Sequence, residues 1–459
     1  MSTGTDHGSD NFVERVLANE KSLPPIKLQN ILNEIQWISF LVITIPPVLA
    51  VYALIYVPLQ YNTFIWAVAY YFATGFGITA GYHRYWSHRS YSASLPLRIV
   101  LMCLGSGAVQ GSARWWARGH RSHHRYTDTD LDPYGAHTGL LWAHVGWMVF
   151  KPRRRPGPVS ITDLDNDPVI KFQHKHYVPL MFFFGFIFPA MVGYLWNDFR
   201  GAFFYAGICR LVFVHHSTFS INSLAHYLGD ASYDRKHSPR DNWITALATV
   251  GEGYHNFHHE FPMDYRNAVV WYQYDPTKWF IWAMSQVGLA SNLKQFPENE
   301  IKKGRLVMQL ADAHEAAAKL NWPKTPNHLP VVSWNDFVAQ SKTRPLIVVH
   351  GYVHDLSGFQ HPGGNELLAS RIGKDATTAF EGGVYEHSNA AHNMLSMRRV
   401  AILSGGYKLA KDERVPAEQS MVNKDAAEYV CPGEAYKIVK QAALSENVRV
   451  QGSRYGKLF

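Results

Sequence analysis

Four apolar stretches, 37–59, 64–82, 178–196 and 201–221, constrain this chain more than anything else in it. Each approaches or exceeds the ~20 residues that a helix needs to cross a bilayer. In hydrocarbon every backbone N–H and C=O must find a partner within the segment, so such runs become helices. Residues 61–63 join the first pair and 197–200 the second, which makes two tight helical hairpins. Pro46 and Pro47 predict a kink in the first helix, and Arg210 must face the bundle interior or reach an interface. The loop between the hairpins is crowded with basic residues, from Arg84 to Lys175, whereas the hairpin tips hold only Arg200. That asymmetry predicts a cytosolic loop and two cytosolic termini. A shorter apolar segment, 99–110, contains glycines and reads as interfacial or re-entrant.

Composition agrees with an apolar body carrying polar parts. Charged residues make up 17%, against roughly 25% in soluble domains, yet the mean hydropathy is only -0.17. The net charge of +8 suits an anionic membrane surface or an anionic substrate. No basic recognition helix or nucleic-acid motif is present, so no nucleic-acid partner is expected. Cys103, Cys209 and Cys431 lie too far apart in sequence to suggest a disulfide framework. Residues 1–27 are polar, and no cleaved signal peptide is expected.

Histidine is the anomaly, with 24 copies. Three clusters stand out: His83 with His88; His120, His123 and His124; and His255, His258 and His259. In the last two the spacing is i, i+3, i+4, which puts three imidazoles on one helix face. His83 and His88 are five apart and can converge only at a helix end, where the second span finishes. Asn222 and His226 lie just past the fourth span. The predicted topology brings all nine histidines to one membrane face, provided 99–110 does not cross. Imidazole suits Fe, Zn, Cu and Ni, and nine exceed what one ion can take, so two ions are the natural count.

These boxes resemble those of the membrane acyl-CoA Δ9 desaturases, the stearoyl-CoA desaturase family, most closely its fungal branch. The resemblance also rests on Arg114-Trp115-Trp116-Ala117-Arg118, His124-Arg-Tyr-Thr-Asp-Thr129, Pro239-Arg-Asp-Asn-Trp243 and the run Gly251 to Pro262. It implies two non-haem irons. His83, His88, His120, His124 and His259 would hold one. His123, His226, His255 and His258 would hold the other, with Asn222 acting through a water. Asp128, Asp132, Glu252 and Glu260 are candidate acceptors for imidazole N–H groups. Such a site draws from O2 the oxidant that an unactivated methylene requires, and two electrons per turnover must arrive from outside.

The electron supply is suggested further on. His361-Pro-Gly-Gly364 and Glu386-His387 sit 26 residues apart, after a β-rich run at 346–353. This resembles a fused cytochrome b5 domain. It implies haem b with His361 and His387 as axial ligands, and a pocket from Leu356, Leu367, Leu368, Phe380 and Leu395. Two histidine ligands leave no open iron position, which suits electron transfer. No dinucleotide fingerprint appears, so a separate NAD(P)H-cytochrome b5 reductase is expected as partner.

The expected fold is therefore mainly α: a four-transmembrane-helix bundle with a cytosolic His-rich helical cap, plus a small α+β cytochrome b5-like haem domain. The expected boundaries are 1–36 for a cytosolic segment, 37–297 for the di-iron domain, 298–330 for a helix and linker, 331–405 for the haem domain and 406–459 for a tail. The resemblance implies an endoplasmic reticulum membrane protein that inserts a cis double bond into saturated C16/C18 acyl-CoA. The polyanionic head would meet the basic loop at Arg118, Arg121, Lys151, Arg153, Arg154 and Arg155, with anionic lipid headgroups the equal alternative for Arg153, Arg154 and Arg155. Trp115 and Trp116 would stack on the adenine or line the tunnel mouth, and Tyr71 with Gly75 would form the tunnel end. Gly135-Ala-His-Thr138 replaces two positive charges usual in the fungal enzymes. His215, His216 and His237 are read as non-ligands. A hydroxylase or a desaturase of other regiochemistry shares these boxes, and a non-catalytic membrane haem carrier is a third reading.

Overall fold

A computed structural model describes residues 22–382 and 387–405. The expected tail 406–459, most of the N-terminal segment, Cys431 and Glu386 lie outside the described residues. Two compact units result, dividing at Met308/Gln309 within the helix Glu298–Ala318.

The first unit is helical. Three helices are long and apolar enough to cross a membrane: Trp37–Tyr56, Tyr61–Ser87 and Tyr177–Trp196. Twenty residues of α-helix rise about 30 Å, the depth of the hydrocarbon core. Pro46 and Pro47 sit inside the first helix without ending it. The fourth expected span is helical throughout 199–222 but falls outside that apolar class. Arg210, His215, His216, Ser217 and Thr218 dilute its second half. Arg210 is buried and turned into the bundle, as its charge demands. Its guanidinium donates to the carbonyls of Ala206 (3.0 Å), Gly107 (2.7 Å) and Gly185 (2.8 Å). Gly107 ends its helix, where carbonyls lack an intrahelical partner.

Segment 99–110 falls in a 13-residue helix, Leu95–Gly107, about 20 Å long and too short to span. It lies hard against the second span. A Cβ at Gly77 would meet the Gly105 nitrogen at 2.2 Å, and one at Gly105 would meet the Tyr82 ring at 2.4 Å. Glycine at both positions permits that approach. The largest buried cluster forms around Tyr82, Trp86, Leu101 and Ile170 beneath the histidines.

The second unit holds a four-stranded sheet. With β1 (Ser92–Ala93) and β2 (Ala290–Ser291) paired in the first unit, its strands are β3 (Val331–Val332), β4 (Leu346–Val349), β5 (Tyr352–Asp355) and β6 (Arg399–Leu403), in the order β3-β6-β5-β4. The β4–β5 hairpin turns on His350 and Gly351, at φ +49° and +76°, the signs of a two-residue turn that matches strand twist. Phe337, Leu346, Val348 and Val353 pack one face, and Ile347, Val349 and Leu356 the other.

Candidate metal centre and substrate cavity

Local winding places the first histidine pair. In an α-helix five residues turn through about 500°, which would leave His83 and His88 about 140° apart. The segment Gly77–Ser87 is instead π-helical, and the His88 N–H donates to the His83 carbonyl five residues back at 3.1 Å. Such i→i+5 turns are rare and concentrate at functional sites; here the winding brings both rings to one face. The second box sits on Ala113–Tyr126, started by Ser112, whose side chain accepts from the Trp115 N–H. The third box lies on the short helix His255–Glu260, and His226 on Leu224–Tyr227.

All nine rings converge into two groups, each with ligand atoms within 4.8 Å of one another. The first is His83, His88, His120, His124 and His258; the second is His123, His226, His255 and His259. His258 and His259 thus exchange places relative to the expected sets. The reason is helical: His120/His124 and His255/His259 are i,i+4 pairs that stay together, while the i+3 ring of each box crosses to the other group. Nε2 atoms face inward, with separations of 2.7 Å (His88–His120), 2.9 Å (His124–His258) and 3.0 Å (His83–His258) in the first group. In the second they are 3.1 Å (His255–His259) and 3.2 Å (His123–His259). Adjacent ligands of one ion, each about 2.1 Å from the metal, sit about 3 Å apart.

Outward nitrogens fix that orientation for His83, His123, His120 and His226, whereas the Nδ1 atoms of His255 and His258 are buried without a hydrogen-bond partner among the described residues. Glu252 lies 3.0 Å from His83 Nδ1 and Asp132 lies 2.8 Å from His123 Nδ1. Tyr134 Oη is 3.3 Å from His120 Nδ1. His226 Nδ1 meets Ser238 Oγ at 2.7 Å, and that hydroxyl donates to Asp128 at 2.6 Å. Outward N–H donation leaves the inward lone pairs free for a metal. Among the described residues, His226 Nε2 is buried without any hydrogen-bond partner. Burial, reinforced by neighbouring imidazoles, holds His88, His120, His124, His255, His258 and His259 well below the usual imidazole range. Burial does the same for His226, with His123 and Arg240 adding to it. Neutral, buried, inward-facing imidazoles are the donor set a transition metal requires. Glu260 differs from expectation. It hydrogen-bonds none of the nine rings among the described residues, and burial beside Asp234 pushes its carboxyl up to about 7.

Beneath His83 runs a buried charge network. Arg84 donates to Glu252 Oε1 (2.8 Å) and to both Asp275 oxygens (2.8 and 3.0 Å), with all three side chains at most 1% exposed. Against the push of burial, Arg84 and His83 hold the Glu252 carboxyl down to about 2.

A cavity of about 270 Å³ opens beside both histidine groups. His83, His120, His123, His255, Glu252 and Asn222 form its polar wall, while Val42, Ile43, Ile78 and Phe219 are among its apolar ones. A second, small space of about 10 Å³ shares Ile78, Thr79, Thr218 and Ile221 with it and is also lined by Tyr71 and Gly75.

In the second unit, His361 and His387 face each other with ring centres 6.2 Å apart. Two imidazoles ligating one iron from opposite sides, each nitrogen about 2 Å from it, leave ring centres about 6 Å apart. His387 Nδ1 lies 2.7 Å from the Phe380 carbonyl, which directs Nε2 towards the gap. Leu356, Leu368, Phe380 and Leu395 pack nearby, whereas Leu367 is exposed.

Comparison with known proteins agrees with both units. Residues 61–289 match the family description Fatty acid desaturase, and 333–404 match Cytochrome b5-like Heme/Steroid binding domain. The chain is 52% identical over 387 residues to a "Probable acyl-CoA desaturase" of Schizosaccharomyces pombe, covering 84% of this chain and 81% of that protein. The chain belongs to the fatty acid desaturase family. "Acyl-CoA desaturase 1" of Saccharomyces cerevisiae is 47% identical over 386 residues, 83% of this chain and 76% of the relative. A "Delta(9)-fatty-acid desaturase" of Caenorhabditis elegans is 41% identical over 250 residues, 53% of this chain and 74% of the relative.

Within this desaturase the expected substrate residues divide. Trp116 lines the cavity and stacks on His120, ring centres 5.0 Å apart. Trp115, half exposed, lies parallel to Trp147 near the mouth. Arg118 lines the cavity, is exposed, and makes no hydrogen bond or ion pair among the described residues. Arg121 is engaged elsewhere, donating to Asp163 and to the Trp86, Ser87 and Ser160 carbonyls. Arg153 pairs with Glu34 at 2.7 Å, and the Lys151 ammonium donates to the Asn33 carbonyl at 2.6 Å. His137 and Arg154 both approach Asp130. His215 donates to backbone carbonyls, His216 meets His144, and His237 meets Asp234, so none joins the two groups. Sequence reading missed Arg84, Tyr134 and Ser238. Arg84, a charge directly after a candidate ligand at a span's end, was the one visible clue.

Proposed function

We propose that this chain is an O2-dependent acyl-CoA Δ9 desaturase that places a cis double bond in saturated C16/C18 acyl-CoA. The observation that carries the reading is the cavity itself. It passes both histidine groups, shares Ile78, Thr79, Thr218 and Ile221 with a small space bordered by Tyr71 and Gly75, and carries Trp115, Trp116 and Arg118, the last without an ion pair among the described residues. A chain bound there presents a mid-chain methylene to the metals.

In this reading His83, His88, His120, His124 and His258 hold one iron. His123, His226, His255 and His259 hold the other, with Asn222 acting through a water. The two irons supply the O2-derived oxidising power that removes hydrogen from an unactivated methylene. The protein's own residues do the rest. Glu252, Asp132, Tyr134 and Ser238 keep the imidazoles in one tautomer. Arg118 takes a phosphate of the coenzyme A head, with Lys151 as a weaker contact after release from Asn33. Trp116, stacked on His120, forms the cavity wall beside that ring, and the apolar walls exclude water.

His361 and His387 would hold haem b, whose one-electron chemistry would meet the electron demand of the di-iron site. A separate NAD(P)H-cytochrome b5 reductase reduces that haem. The protein resides in the endoplasmic reticulum membrane, the helix 199–222 acting as the fourth span and both termini facing the cytosol.

The test is fatty-acid profiling in desaturase-deficient yeast expressing the full chain, beside His258→Ala. The expected result is new palmitoleate and oleate, lost in the variant. Hydroxylated acids, or a double bond elsewhere, would sink the Δ9 assignment. Stable haem-bearing protein with no new lipid would favour an electron carrier.

A further inference from the structure

Seven non-glycine residues hold a positive φ among the described residues, and two of them are β-branched: Val109 and Val250, both at +56°. A β-branched side chain crowds its own backbone there and makes a genuine outlier. Strain of that kind clusters at functional sites, and the inference runs from the outlier to the function. Both valines line the cavity, Val109 in the main chamber and Val250 in the distal space.

Val250 is 3% exposed. A Cβ added to Gly75 would meet its Cγ2 at 3.6 Å and its Cγ1 at 3.9 Å, so the isopropyl group lies one methyl's width from Gly75, and both border the small distal space. The turn holding it is pinned on both sides. The Gly251 N–H donates to the Ala246 carbonyl at 2.8 Å. Gly251, at φ +95°, lies so close to Asp275 that a Cβ would meet its Cα at 2.7 Å. Glycine at 250 would satisfy this backbone without strain; valine adds a wall that glycine lacks.

We propose that Val250 determines acyl chain length, its isopropyl group forming the far wall of the tunnel beside Gly75 and stopping the methyl end of the substrate. The proposal rests on the acyl-CoA desaturase reading.

The experiment expresses the full chain and its Val250→Ala, Val250→Gly and Val250→Ile variants in desaturase-deficient yeast. It compares product lengths, with non-haem iron per haem and melting temperature measured on purified protein. A single methylene in an apolar pocket is discriminated by about tenfold or more. Alanine and glycine are therefore expected to raise the ratio of longer to shorter unsaturated products by about tenfold, and isoleucine to lower it similarly. Relief of backbone strain in Val250→Gly is set against the lost packing of a buried isopropyl group, so its melting temperature serves as the folding control. Unchanged product ratios in the alanine and isoleucine variants, with iron retained, would overturn the proposal. Should glycine fail to fold, those two variants decide it. A parent chain that makes no unsaturated lipid would overturn the desaturase reading and this role with it.

Discussion

Replacing Glu252 with glutamine isolates what one buried carboxylate does for the metal site. Three donors converge on its two oxygens: His83 Nδ1 at 3.0 Å, an Arg84 N–H at 2.8 Å and the Asn267 amide. Glutamine matches the shape but offers one oxygen and one NH2, so at least one donor would face another donor. Asp275 still pairs with Arg84, so no buried charge is orphaned. The folding cost is thereby limited to lost charged hydrogen bonds, about 1–3 kcal/mol. The larger effect falls on His83, whose ring loses its anionic acceptor. Changes at such acceptors reduce metal affinity by about 10- to 100-fold. The assay is chelator titration of purified full-length protein, reading non-haem iron against haem, which the second unit supplies as an internal standard. The iron-loss midpoint should fall by one to two decades while the haem absorbance holds. A midpoint equal to the parent's, with unchanged turnover, would refute the idea that Glu252 acts through His83.

Other outcomes follow from the same contacts. Arg118→Ala should raise the KM for acyl-CoA about tenfold, ~1.4 kcal/mol, with kcat little changed, whereas Arg121→Ala should lower thermal stability by about 1–3 kcal/mol; the reverse pattern would reassign the head-group contact. Arg210→Met leaves three bundle carbonyls without their donor and should destabilise by about 3 kcal/mol or more, read as a lower melting temperature in detergent. Burial holds His354 in the haem unit down at about 3, from an ordinary 6.5. An unfolded chain takes up a proton below pH 6.5 that the folded unit refuses, so stability is full above that pH and falls by about 1.4 kcal/mol per unit towards pH 3. Melts followed at the haem absorbance should show that slope, and a flat profile would count against it.

The parts of this architecture legible in the sequence were those set by composition and local spacing. Three spans announce themselves by length and apolarity, and the fourth shows as a helix although Arg210 and its histidines dilute it. The histidine boxes and the HPGG turn were visible because their chemistry is local. Contacts across the fold were not. Spacing keeps His255 with His259 as an i,i+4 pair, but which group that pair joins depends on how three helices meet. Arg118 and Arg121 read alike, yet Asp163, 42 residues on, pairs with Arg121, while Arg118 makes no ion pair among the described residues. The strain at Val250 is invisible without backbone angles, since nothing in Thr-Val-Gly-Glu marks a left-handed valine.

The π winding of Gly77–Ser87 has a consequence for insertions and deletions. Ordinary α-helix keeps residues four apart on one face, as this wider winding does for residues five apart. A chain with one residue fewer between the two histidines, rewound regularly, would present the same pair of rings to the same ion. The length of that first box is therefore a record of helical pitch rather than of chemistry. A single-residue deletion between His83 and His88 is therefore a loss that the metal site has a geometric way to absorb.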